Sequence, residues 1–346
     1  MPVSRSYVVS AFRRTSVRLK PDTTSDRAIT DDRATRVVTV LQPGLLTTIQ
    51  DEGRWGWQSL GVPPAGPMDP AAHRRANAAL GNPREAATLE ITVVGPELRF
   101  EHDAWLAVTG ADLRPLVGGA AAPMDAPVWC RAGSVLRFGG RARGARAYVA
   151  IDGGIAVRPV LGSRATHLAS GLGGFDGRAL RAGDRIPLGG RGVNPPIVSP
   201  AATGAAASSA TGGARLRVLP GPQAEWFDRS AFDRLEHTRY VISPQSDRMG
   251  YRLTGPTETP ASAAGEMISD VAFTGGLQAP PSGEPILLMA DRQTTGGYPQ
   301  IAVVITADLP RAAQLLPGDW VEFEWCSRSE AVAALRVQEG QPRAIG

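Results

Sequence analysis

At 346 residues, with 42% hydrophobic content, the chain can bury a sizeable core and has room for two domains of ordinary size. Its net charge of +4 comes wholly from residues 1–36, which hold eight Lys/Arg against four Asp/Glu, leaving 29 of each sign in the rest. A neutral body excludes a broad nucleic-acid surface, and no run approaches the 18 apolar residues of a membrane span.

Met1 to Arg36 is rich in Ser, Thr and Arg and lacks the apolar stretch of a secretory signal, so it reads as a disordered extension. Order is expected to begin at Val37–Leu41. Further strands follow from period-two alternation over Ala87–Val94, Trp105–Thr109, Arg146–Ile151, Arg215–Leu219, Arg239–Ser243, Ile286–Ala290, Ile301–Thr306 and Trp320–Trp325. Helices are few. Asp69 as N-cap, Pro70 at the first helical position and Gly81 as terminator predict one over Pro70–Leu80. Pro222–Leu235 and Asp308–Leu315 are weaker helical segments.

A stretch from Arg191 to Ala214, rich in Pro, Ala, Ser and Gly, reads as a flexible linker. It divides the chain into a domain over 37–190 and another over 215–330, with a tail from 331 to 346. Both halves end on a Gly-Asp turn followed by a strand, at Gly183-Asp184 and Gly318-Asp319, and Gly133-Ser134 repeats the unit inside the first half. The reading is two related, mainly β domains, each a closed or nearly closed barrel with few short helices.

Two counts limit the chemistry. Cys130 and Cys326 are isolated, with neither metal-ligand spacing nor a disulfide framework, which fits a reducing cytoplasm. The single lysine, Lys20, lies in the extension, so the body cannot supply a phosphate-binding, Schiff-base or biotinyl lysine.

Polar clusters mark the candidate site. An apolar run, Pro285 to Ala290, empties into Asp291, Arg292, Gln293, Thr294, Thr295, Gly296, Gly297 and Tyr298, far more hydrogen-bonding capacity than a turn requires. Asp51, Glu52 and Arg54 flank glycines that permit close backbone approach to a ligand, and Asp69 is either a helix cap or a ligand contact. Glu90 stands on the polar face of its strand and requires a partner if buried; Arg54 is a candidate. Ser163 and Arg164 offer donors to an anion, whereas nothing beside His167 forms a triad. In a strand Arg248, Gly250 and Arg252 share one face, so the two guanidinium groups would stand side by side around an anion.

Taken in order, the segments 50–69, 80–82, 89–100, 152–155, 161–167, 171–180, 220–223, 246–256 and 286–304 resemble the allophanate hydrolase subunit 2-like (KipA-like) biotin-dependent carboxyltransferase family. One branch of that family serves in bacterial 5-oxoprolinase. Ala165 stands where many members carry Ser, and Leu277-Gln278-Ala279 departs mildly from Ile-Gln-Val. The resemblance implies tandem cyclophilin-like β-barrels and a subunit 1-like (KipI-like) partner. In the 5-oxoprolinase branch it also implies a third subunit, ATP with Mg2+, and opening of a small anionic substrate, L-5-oxoproline, to L-glutamate. Under that reading Asp51, Arg248, Asp291 and Arg292 would serve catalysis. The alternatives are a carboxyltransferase component fed by carboxybiotin on a separate carrier, since no lysine here can carry biotin, and a non-catalytic antagonist of the subunit 1-like partner.

Overall fold

The structure, a computed structural model, describes residues 36–190, 212–256 and 267–340. The expected N-terminal extension, up to residue 35, and the expected linker over 191–211 lie outside the described residues. Arg36 is tied down: its guanidinium meets Asp152 at 2.6 Å and donates to the Asp152 and Gly189 carbonyls.

The first half builds β1 (Val37–Gln42), β2 (Leu46–Gln50), β3 (Thr88–Thr92), β4 (Glu97–Phe100), β5 (Ala104–Asp112) and β6 (Pro115–Val117). It continues with β7 (Ala120–Ala121), β8 (Pro127–Cys130), β9 (Val135–Phe138), β10 (Arg143–Ile151) and β11 (Arg185–Pro187). These form two sheets, ordered β11-β1-β4-β9-β6-β7 and β2-β3-β10-β5-β8. Side-chain alternation decides what faces what. Leu89, Ile91, Val149 and Ile151 turn into a core completed by Val38, Leu98, Phe100 and Leu136 of the other sheet. Glu90 and Tyr148, register partners on β3 and β10, therefore turn to the opposite face. Helix α1 (Pro70–Ala79) covers part of that face, packing Ala72, Ala76 and Ala79 against Ala107, Tyr148 and Ala150.

The second half forms β12 (Gly213–Pro220), β13 (Tyr240–Ile242), β14 (Gly250–Thr254), β15 (Asp270–Val271) and β16 (Gly276–Gln278). Then come β17 (Ile286–Leu288), β18 (Thr295–Gly296), β19 (Gln300–Val304) and β20 (Trp320–Trp325). They make a closed barrel in the order β12-β19-β16-β17-β14-β13-β20, while β15 and β18 pair separately as a two-stranded ribbon. The fold is mainly β with a barrel, as expected; among the described residues closure is complete in the second half, and the first half is two facing sheets.

Several expected boundaries move. The linker expected to reach Ala214 stops short of it, since β12 already begins at Gly213 and pairs in parallel with β20. The helix expected over Pro222–Leu235 is a 3-10 turn at Ala224–Trp226 followed by α2 (Arg229–His237), because the Asp228 side chain caps a new start on the Ala231 amide. Another 3-10 turn, Thr306–Asp308, precedes α3 (Leu309–Ala313). The expected tail from 331 is helical up to Gln338: Ser327 and Glu330 form a reciprocal capping box that starts α4 (Arg328–Gln338).

The Gly-Asp repeat is physical. Gly183 and Gly318 adopt φ of 89° and 90°, a region that disfavours other residues. Asp184 and Asp319 each accept the amide three residues back, from Arg181 at 2.7 Å and Leu316 at 2.9 Å. No helix among the described residues is long and apolar enough to cross a membrane.

The halves are joined by buried chemistry. Met68, from the first half, sits in the core of the barrel. Gln314 donates to Asp69 at 2.8 Å and to the Arg146 carbonyl at 3.0 Å, and accepts the Ala145 and Arg146 amides. Arg146 returns two bonds to the carbonyls of Ala313 and Leu315. Gln314→Leu is therefore expected to destabilise the chain by about 2–3 kcal/mol, since it strands buried amides, a carbonyl and a carboxylate oxygen at once. Urea unfolding checks this, with an unchanged midpoint as the contrary result.

Candidate functional site

Arg248 is the hub. Its Nε and Nη2 clamp Asp291 through both carboxylate oxygens at 2.9 Å, its Nη1 pairs with Glu90, and its Nη2 also donates to the Gly66 carbonyl at 2.7 Å. Glu90 accepts the Met68 amide and the Tyr148 hydroxyl through its other oxygen, at 2.8 and 2.7 Å. Tyr148 in turn accepts the Asp69 amide. All of these side chains are buried. The outward face of β3 and β10 thus becomes an internal surface only because the barrel closes over it.

The electrostatics follow from that burial. Desolvation works against the Arg248 cation, yet Asp291 and Glu90 outweigh it and raise its pKa further. Burial, with Glu90 and Asp69 adding to it, keeps Tyr148 a phenol far above its ordinary range. Burial likewise lifts Asp69, despite its cap bond to Ala72 and its bond from Gln314. Asp69 is thus both helix cap and interface acceptor.

A second group surrounds Asp51. One carboxylate oxygen accepts Ser163 Oγ at 2.6 Å and the Gly53 amide at 3.0 Å, and the other accepts the Arg164 amide. Arg164 spends its Nε on the Val157 carbonyl. Arg54 is 1% exposed and donates Nη2 to the Ala165 carbonyl, while its Nε and Nη1 have no hydrogen-bond partner among the described residues. Burial lowers its pKa, opposed by the charges of Asp51 and Asp291. Arg54 so feels both carboxylates without an ion pair to either, and His167 Nε2 approaches the Asp291 carbonyl at 3.4 Å.

Several expectations require correction. Glu90 pairs with Arg248, not Arg54, because β3 presents it toward the second half. Arg248 and Arg252 do not flank an anion: Arg248 lies before β14 and is buried, whereas Arg252 is on β14 and exposed. Two carboxylates, not an anion, neutralise Arg248. Of the loop after β17, Asp291 and Arg292 are buried, Gln293, Thr294 and Gly296 are half-buried, and Thr295, Gly297 and Tyr298 are exposed. Thr295 and Gly296 form β18 opposite Val271 and Asp270. Arg292 donates Nε to the Ala272 carbonyl at 3.0 Å and has no carboxylate partner among the described residues; burial alone lowers its pKa.

Reasoning from sequence missed Tyr148, Arg146 and Gln314. Tyr148 carried a signal, since it sits at an alternate position on a strongly apolar strand. Gln314 carried none, because its partners come from the other half.

Beside the site, His73 Nε2 donates to the Arg84 carbonyl at 3.2 Å and Nδ1 bonds Thr88 Oγ1 at 2.9 Å, with Glu52 at 3.9 Å. Burial depresses its pKa below the ordinary 6.5, more than Glu52 and the Arg84 contact raise it. Between the folded value and 6.5 the unfolded chain binds the extra proton, so stability is full above 6.5 and falls as pH drops through that window. His73→Gln is expected to flatten the wild-type decline in urea midpoint between pH 7 and 5. Asp69, raised by burial, contributes with the opposite sign in both proteins, so the difference between them isolates His73.

The carboxyltransferase-domain family, subdomains A and B, matches residues 60–325. The chain belongs to this family. Within it, the chain is 39% identical over 306 residues to the 5-oxoprolinase C subunit of Escherichia coli K12, covering 87% of this chain and 94% of that one. It is 35% identical over 315 residues to the 5-oxoprolinase C subunit of Haemophilus influenzae, covering 88% and 96%. The crystal structure of K. lactis urea amidolyase superimposes with a TM-score of 0.82 at 30% identity, covering 88% of this chain and 20% of that one. This carboxyltransferase fold is thus found both as a chain of about this length and as one segment of a much longer enzyme.

Proposed function

We propose that the chain is a subunit of an ATP-dependent 5-oxoprolinase, active with partner subunits in the cytoplasm and converting L-5-oxoproline to L-glutamate. The observation that carries this reading is end-to-end similarity to two 5-oxoprolinase C subunits, each covered over more than nine-tenths of its length. Exposed Ile268, Val271, Phe273 and Tyr298 offer an apolar surface of the kind protein partners cover. A subunit 1-like protein and a third subunit are the partners proposed.

A lactam is a poor electrophile, and phosphorylation of its carbonyl oxygen makes attack by water feasible. That chemistry calls for fixed cations near developing negative charge. Arg54 suits the role, and Arg292 suits an anionic group of the substrate, because neither is neutralised by a directly paired carboxylate among the described residues. Arg248, Asp291, Glu90 and Asp51 are then positioning residues that hold the loops carrying those cations. Mg2+ does not fit these carboxylates: Asp51 and Asp291 have both oxygens on N–H or O–H donors, as does Glu90. Among the described residues, moreover, no group of three or more His, Cys, Asp or Glu side chains could hold a metal. ATP with Mg2+ is accordingly assigned to a partner or to the subunit interface.

Co-purified with the proposed partner subunits, the chain should support ATP hydrolysis only when L-5-oxoproline is added. ATP hydrolysis indifferent to that compound would reject the reading. The likeness to urea amidolyase favours a second reading, carboxyl transfer from a separate biotin carrier. Activity that depends on bicarbonate and biotin carrier would select it.

A further inference from the structure

Beneath the β15–β18 ribbon lie two glutamines whose amide groups are incompletely used. Gln278 on β16 and Gln300 on β19 are register partners, 2% and 1% exposed. Gln300 Nε2 donates to the Val271 carbonyl at 2.9 Å, which fixes the orientation of that amide and leaves its Oε1 without a partner. Gln278 Nε2 also has none, in both cases among the described residues. One unmet acceptor and one unmet donor thus stand on the same face of two neighbouring strands, where leaving either unmet is costly.

The chain around them is arranged to keep these amide heads in place. A Cβ on Gly276 would fall 2.2 Å from Gln300 Oε1, and one on Gly296 would fall 2.6 Å from Gln278 Nε2. Neither glycine has a positive φ, so what a side chain there would disturb is the placement of the amide heads and not the backbone angle. Arg292 completes the set. Its Nε grips the Ala272 carbonyl, the residue next to the one Gln300 grips, and it has no counter-ion among the described residues. The ribbon above lies outside the barrel ladder and is tied down by its two register pairs, by the Ala272 amide on the Thr294 carbonyl and by these side-chain bonds, so a ligand would enter by displacing some of them.

We propose that Gln278, Gln300 and Arg292 form a subsite for a cyclic amide bearing a carboxylate. The lactam N–H donates to Gln300 Oε1, the lactam carbonyl accepts from Gln278 Nε2, and the carboxylate meets the Arg292 guanidinium. Such a molecule presents a donor, an acceptor and an anion together, one for each of the three groups. The site is located independently of the proposed function; naming L-5-oxoproline as its ligand rests on that reading.

Calorimetric titration of the full chain, alone and in its complex with the partner subunits, tests this with three probes. They are L-5-oxoproline, L-proline, which lacks the lactam carbonyl, and 2-pyrrolidinone, which lacks the carboxylate. L-5-oxoproline is expected to bind at least tenfold tighter than either. Gln278→Met and Gln300→Met, at unchanged melting temperature, should each weaken it tenfold or more. Arg292→Gln should weaken L-5-oxoproline while leaving 2-pyrrolidinone unaffected. No binding by the chain or the complex, or full affinity in both glutamine variants, overturns the subsite. If ATP hydrolysis still responds to L-5-oxoproline in that event, the proposed function survives without it. Glutamine-dependent binding in a complex that never hydrolyses ATP would instead retain the subsite and remove the proposed function.

Discussion

Arg248→Met is expected to lower folding stability by roughly 3–5 kcal/mol, the largest single-residue effect anticipated in this chain. The substitution preserves much of the side-chain volume but leaves two buried carboxylates, Glu90 and Asp291, facing each other without their cation. It also frees the Gly66 carbonyl. Because Arg248 and Asp291 belong to the barrel and Glu90 and Gly66 to the first half, the variant should also loosen the connection between halves, broadening the urea transition or splitting it in two. The triple variant Arg248→Met, Glu90→Gln, Asp291→Asn removes all three charges together and should recover most of the loss. A single variant with the wild-type midpoint would mean that the cluster is solvated, contrary to its burial.

Arg292→Gln should behave in the opposite way. Its guanidinium is buried beside the ribbon with one backbone bond and no carboxylate partner, so removing the charge costs about 1 kcal/mol for the lost bond and relieves the desolvation of an uncompensated cation. The melting temperature is expected to stay level or rise. L-5-oxoproline-dependent ATP hydrolysis by the assembled complex should nevertheless fall tenfold or more, because the substrate carboxylate loses its charge-assisted partner. Stability traded against activity in this manner marks a group retained for its ligand. A variant that loses several kcal/mol while keeping its activity would show that Arg292 is structural and that the anion is held elsewhere.

The contrast between these two arginines could not be read from the chain. Both follow or precede a strand in loops dense with polar residues, and both belong to motifs of the carboxyltransferase family. What separates them is Glu90, some 158 positions away from Arg248 and brought to it by the packing of one half on the other. Alternation places Glu90 on the face away from Leu89 and Ile91, but leaves open whether that face meets water or protein. The same holds for Arg252, which alternation puts beside Arg248 and which the start of β14 at Gly250 turns outward instead.

Local chemistry, by contrast, is legible wherever its cause is local. Asp69 and Pro70 start α1, the Gly-Asp turns at 183 and 318 launch β11 and lead toward β20, and the apolar runs announce strands at most a few residues from their observed ends. Those features depend on φ preferences, caps and side-chain alternation, which act within a few residues. The end of the chain shows the limit of composition alone: it suggests a tail from 331, yet Ser327 and Glu330, one helical turn apart, carry a complete helix start.

The sequence by itself determined the mainly β character, the short capped helices, the absence of a usable lysine and the loops in which chemistry is concentrated, because each of these is fixed by neighbours in the chain. Tertiary structure alone decided which charges cancel and which stay uncompensated. Closing the barrel over the outer face of β3 and β10 turns Glu90 and Asp291 into partners for Arg248, and Asp69 into one for Gln314. It leaves Arg54, Arg292, Gln278 and Gln300 with unused capacity. Burial sets the energy of a polar group, and burial is a property of the assembled halves.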